Sequence, residues 1–181
     1  MVNRKLVVLM LVVACCATTT FAQKYKSKSS EITFFSEAPV ENIDATNKDA
    51  SSVFDEGKNE IVFSVPIRSF EFDKSLMQEH FNEKYMESEE YPKALFTGTV
   101  QGYDKSKSGQ QQATAKGKMT IHGVTRPVEI TGSISKTADE IEIQSTFIIK
   151  LEDYKIKIPK VLWQNIAEEV EVKIKFVYQP L

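Results

Sequence analysis

Over residues 170–178 every second side chain is apolar: Val170, Val172, Ile174, Phe176 and Tyr178, set against Glu171, Lys173 and Lys175. A period of two places the apolar side chains on one face of an extended chain and the charges on the other, so the segment reads as a strand with one dry and one wet face. The pattern recurs at Ile61, Phe63, Val65 and Ile67, at Val128, Ile130 and Ile134, and at Ile141, Ile143, Phe147 and Ile149. Weaker candidates cover 32–37, 38–46 and 113–122, and polar clusters at 55–59, 102–109 and 137–139 separate the runs. About eight such strands predict an all-β chain, an antiparallel eight-stranded β-barrel whose interior is filled by side chains or holds one small ligand.

One segment departs from this period. Met77, Phe81 and Tyr85 recur at helical spacing, with Glu79, Glu83 and Glu87 on the other side. Ser75 with Gln78 fits a capping box, and Pro92 biases Tyr91 towards an extended conformation, which ends a short amphipathic helix. Its apolar stripe needs a partner, and the mouth of the barrel is the natural place for it.

The chain begins as an export signal: Arg4 and Lys5, an apolar stretch over 6–14, and the small-residue site Thr20-Phe21-Ala22 before Gln23. The expected division is therefore a signal peptide over 1–22 and one barrel domain over 23–181, periplasmic or secreted. Cys15 also closes a lipobox-like run, the less favoured lipoprotein reading. Cys15 and Cys16 are the two cysteines, so ordinary cleavage leaves no thiol or disulfide. The apolar stretch is shorter than the roughly 20 residues of a transmembrane helix, and no later stretch is longer. Two of the 23 basic residues and none of the 25 acidic ones lie in the leader, so the remainder carries a net charge of −4. That balance disfavours nucleic acid and anionic membrane surfaces as partners.

Residues that can carry chemistry are few. His122, beside Gly123, and His80 on the helix share no ligand spacing, so His122 is expected to support a tight turn. Glu83, Glu87, Glu89 and Glu90 read as a solvated helix face. There is no Gly-rich phosphate loop, no Gly-x-Ser-x-Gly elbow and no His-Glu-x-x-His. Trp163 reads as a loop anchor. No catalytic residue, metal ligand or cofactor is expected.

Three stretches taken in order carry a resemblance: MQEHFNEKYMESEEYPKALFTGTV from residue 77, GKMTIHGVTRPVEITG ending at 132, and the closing run from Ile166-Ala167-Glu168 to Pro180. They resemble the YceI-like family of bacterial periplasmic proteins. The resemblance implies a lipocalin-like barrel holding an isoprenoid or other long-chain lipid, and an exported, non-enzymatic carrier or sequestering protein. Its expected ligand-binding residues are Phe63, Val65, Phe96, Met119, Val128, Ile130, Ile143, Phe147, Ile174 and Phe176. The inward set also contains Gly98, Ala115, Gly117 and Gly132, which leave space for neighbours or for a ligand. The competing reading is a solid barrel that contacts an envelope partner. An outer-membrane barrel is disfavoured, since Lys173 and Lys175 facing lipid cost about 2–4 kcal/mol each at the midplane. Ligand identity and oligomeric state stay open.

Overall fold

The computed structural model describes residues 24–37, 42–157 and 167–181. The leader, Trp163 and Ile166 lie outside them. Ten strands follow in chain order: β1 (Lys24–Ser36), β2 (Ile43–Asn47), β3 (Ser51–Asp55), β4 (Glu60–Pro66), β5 (Phe70–Glu71), β6 (Lys93–Gln101), β7 (Gly109–Ile121), β8 (Val124–Lys136), β9 (Ile141–Lys150) and β10 (Glu169–Pro180). Between β5 and β6 lies α1 (Ser75–His80), which widens into a π-helical turn over Phe81–Tyr85.

Eight strands make a closed antiparallel ring, β1–β3–β4–β6–β7–β8–β9–β10, with β10 returning to β1. The expected barrel is the observed one. One edge of β1 serves two partners: Lys24–Lys26 pair with β3, and Ile32–Ser36 pair with β2. The short strands β2 and β5 thereby extend the wall at one end. Asn47, fully buried, ties this extension to β4 by donating from Nδ2 to the Pro66 carbonyl at 2.7 Å.

The two ends of the barrel differ in kind. At the end holding the 56–59 turn, Phe54, Ile61, Ile141, Phe176 and Tyr178 are 0–2% exposed, and side chains fill the interior. Glu56, also buried, accepts a hydrogen bond from the Tyr103 hydroxyl at 2.6 Å and pairs with Lys136. A buried carboxylate is tolerable only when partnered in this way. At the other end α1 lies over the opening. Phe81 stacks on Phe34 with ring centroids 5.6 Å apart, and Phe70 and Phe72 surround it at 5.6 and 5.0 Å.

Three local expectations need correction. Strand β3, SSVFD, escapes a periodicity reading because two of its five residues are serines, and β5 has only two residues. The candidate over 38–46 is described from residue 42 on and is a strand over Ile43–Asn47. The capping box does not form. Lys74 is the N-cap, its carbonyl accepts from the Met77 and Gln78 amides at 3.0 and 3.1 Å, and Ser75 is already helical.

Candidate ligand-binding site

Between the helix and the filled end lies a cavity of about 240 Å³. A single water needs roughly 10–15 Å³ by a comparable measure, so the space takes on the order of 15–20 methylene-sized groups. Strands on most of the wall contribute by alternation. Phe63 and Val65 project from β4, Phe96 from β6, Met119 from β7, Ile130 from β8, Ile143 and Phe147 from β9, and Ile174 and Phe176 from β10. Nine of the ten positions expected to bind ligand are thus brought together around one space. Val128 is not among the lining residues; it is half-buried against the core further along β8.

The lining is graded from floor to wall. Phe96, Met119, Ile143 and Phe176 are buried and form a floor over the filled end. Phe63, Val65, Ile130, Phe147, Ile149 and Ile174 line the space while packing against the core, and are only half-buried. The sequence reading missed Phe34, Phe70 and Phe72, which join Phe81, Met77 and Tyr85 to roof the cavity. The alternation Phe70-Glu71-Phe72 was the available signal, but it is too short to stand out from a turn.

Polar groups on the lining are sparse. Ser36 Oγ accepts from the Ala167 amide at 3.0 Å, and Ser145 Oγ donates to the Thr131 carbonyl at 2.6 Å. Burial pushes the Tyr85 hydroxyl above the ordinary tyrosine range. Among the described residues the lining contains no carboxylate, amine or imidazole. Among the described residues no group of three or more His, Cys, Asp or Glu side chains is placed to hold a metal ion.

Of the two expected occupants of the space at the glycines, neighbours or a ligand, neighbouring atoms take it. Gly98 and Gly117 face each other across β6 and β7, and the Phe96 ring lies over both: a Cβ on Gly98 would sit 2.7 Å from its Cζ, and one on Gly117 2.9 Å. An aromatic ring occupies that room. Gly132 does line the cavity, but a Cβ there would run into the Gln144 carbonyl and the Ser145 side chain. It is needed for the close approach of β8 to β9.

The rim brings two distant sequence stretches into contact. His122 and Gly123 both have positive φ, +50° and +71°, and make the two-residue turn between β7 and β8. The Tyr91 ring packs on that turn, 4.5 Å from the His122 ring, and His122 Nε2 donates to Glu87 Oε2 at 2.9 Å. The expected structural role of His122 is therefore one of bracing the turn against the end of the helical segment. Glu89 pairs with Arg68 at 2.8 Å and Glu90 accepts from the Tyr91 hydroxyl, so the acidic face is exposed but partnered.

A sequence model of the YceI-like domain matches residues 23–178. The chain belongs to the YceI-like family. Among solved structures, a polyisoprenoid-binding domain from Saccharophagus degradans superposes with a TM-score of 0.75 at 15% identity, covering 87% of this chain and 98% of that one. BcnA from Burkholderia cenocepacia gives 0.69 at 18%, with coverage of 82% and 95%. The YceI protein of Campylobacter jejuni gives 0.61 at 19%, with 80% and 88%. No curated protein matches the sequence. At these identities the structural likeness establishes the fold, and in this YceI-like barrel the motif stretches that carried the resemblance build the roof and the β7–β8 rim and also supply Phe96, Met119, Ile130, Ile174 and Phe176 to the pocket.

Proposed function

We propose that this YceI-like protein is an exported, non-enzymatic carrier or sequestering protein that holds an isoprenoid-like or other long-chain lipid in the cavity under α1. One observation carries the reading: apolar side chains, Phe63, Val65, Ile130, Phe147 and Ile174 among them, remain only half-buried around one apolar cavity. A solid interaction module would bury them as the filled end buries Phe54 and Ile61. Each methylene moved from water into such a lining is worth about 0.8 kcal/mol, so a long chain binds with few polar contacts. The same fold in a polyisoprenoid-binding domain supports this class of ligand. The described lining, apolar and without acid, base or imidazole, supports binding over catalysis. Export rests on the leader over 1–22, and a family match that begins at residue 23 supports it.

Native mass spectrometry of the protein isolated from its own envelope without detergent tests this. The expected result is an excess of roughly several hundred daltons, as for a pocket-sized ligand, that is released into organic solvent. Ala115→Phe, which projects a ring into the cavity from β7, should keep the fold and lose most of that excess. A bare polypeptide that also fails to take up isoprenoids overturns the proposal.

A further inference from the structure

The barrel wall is not sealed all the way round. Strand β8 pairs with β7 along its whole length, and β9 pairs with β10 from Ile141 to Lys150. Between β8 and β9, however, only five rungs form, Gly132–Lys136 against Ser145–Ile141. Beyond Gly132 and Ser145 the two strands continue, over 124–131 and 146–150, without pairing to each other. At the rim this seam is bridged again. The tight turn Leu151–Tyr154 reaches β8, where Arg126 Nε donates to the Asp153 carbonyl at 2.9 Å and its guanidinium lies 3.5 Å from the Asp153 carboxylate. A window remains between this bridge and the Gly132–Ser145 rung.

The sequence is adapted to an open edge here. The residues flanking a two-residue hairpin turn form a hydrogen-bonded pair, and such pairs alternate along an antiparallel ladder. Counting from Ile121–Val124, the Lys118–Pro127 pair is a non-bonded one, so the Pro127 nitrogen faces β9. A residue with no N–H therefore sits on the free edge, where proline costs no ladder bond and blocks pairing with another strand.

The paired rungs at the lip of the window, Gly132–Ser145 and Ser133–Gln144, border a space on each side of the wall. Gly132, Ser133, Gln144, Ser145 and Ile174 line both the apolar cavity and a polar groove on the outer face between Gln112, Thr146 and Lys175. The mouth, by contrast, is overlain by α1 and by four phenylalanine rings in mutual contact, Phe34, Phe70, Phe72 and Phe81.

We infer that the long-chain ligand enters and leaves sideways, through the window between β8 and β9 above Gly132 and Ser145, with α1 remaining seated. The inference rests on the lipid-binding reading. A bulky polymer maleimide attached at Thr146→Cys, on the outer lip of the window, would screen it; the same adduct at Leu76→Cys, exposed on α1, would screen the mouth. Uptake of geranylgeraniol from phosphatidylcholine vesicles is followed for each, with the unsubstituted chain treated identically to account for Cys15 and Cys16. The Thr146 adduct should slow uptake at least tenfold and the Leu76 adduct less than twofold. The reverse pattern, equal slowing, or no slowing by either adduct overturns the window while leaving the lipid-binding reading intact. Absence of uptake by the untreated protein overturns both.

Discussion

Gly123 is held in place both by its backbone conformation and by its surroundings. Its φ of +71° lies in the left-handed region, and a Cβ would come within 2.6 Å of Tyr91 Cε1. Alanine therefore faces both backbone strain and a collision with the ring that joins the β7–β8 turn to the helical segment. Gly123→Ala should lower stability by about 1–3 kcal/mol, read as a lower urea midpoint at unchanged slope. A midpoint equal to that of the parent would show that Tyr91 moves aside freely. This turn was legible in the sequence because His122-Gly123 interrupts two alternating runs. The partner of the turn was not: Tyr91 lies about thirty residues earlier, and no local pattern reports which ring packs on which glycine. The same limit explains Gly98 and Gly117, whose missing side chains are replaced by Phe96 from a position only the folded register brings near.

At the level of elements, the helix shows what spacing can and cannot reveal. Met77, Phe81 and Tyr85 do share the face that meets the cavity, as the four-residue spacing required. The start and the widening to π geometry were not encoded in any strong signal. The Met86 amide bonds to the Phe81 carbonyl at 2.9 Å, five residues back, and Asn82 Nδ2 donates to the Gln78 carbonyl at 3.0 Å, serving an acceptor that a regular turn would leave to a backbone amide. A helical segment of eleven residues is too short to hold itself in water. Its order depends on Phe81 seated among Phe34, Phe70 and Phe72. Phe81→Ala should therefore abolish hydrogen-exchange protection over 75–85 and cost about 2 kcal/mol, below the usual buried phenylalanine because the ring is half-exposed. Amides of β7 and β10 should exchange as before; a barrel that loosens with the helix would refute the separation.

For the whole molecule, alternation showed which side chains point inward but not that the interior beneath α1 is hollow. Inward direction is a property of one strand, whereas free volume depends on how eight strands curve and where two of them part. The filled end concentrates the consequences for stability. There Tyr178, fully buried, donates from its hydroxyl to Ser52 Oγ at 2.6 Å, and Tyr103 donates to the Glu56 carboxylate. Burial raises both hydroxyls far above the ordinary tyrosine value of 10.0, and the Glu56 charge raises Tyr103 further. Burial also raises Tyr25, Tyr85 and Tyr154, and the hydrogen bond to Glu90 raises Tyr91. All six tyrosines of the chain thus hold their protons to higher pH in the fold than a free tyrosine does. Below the unfolded value both states hold these protons and stability is unaffected; above it the unfolded chain loses protons that the native barrel retains, so stability falls as pH climbs. Phenolate absorbance and loss of β-sheet circular dichroism should consequently rise together, in one cooperative step above pH 10. Ionisation of all six tyrosines near pH 10 with the sheet signal intact would mean that the filled end admits water.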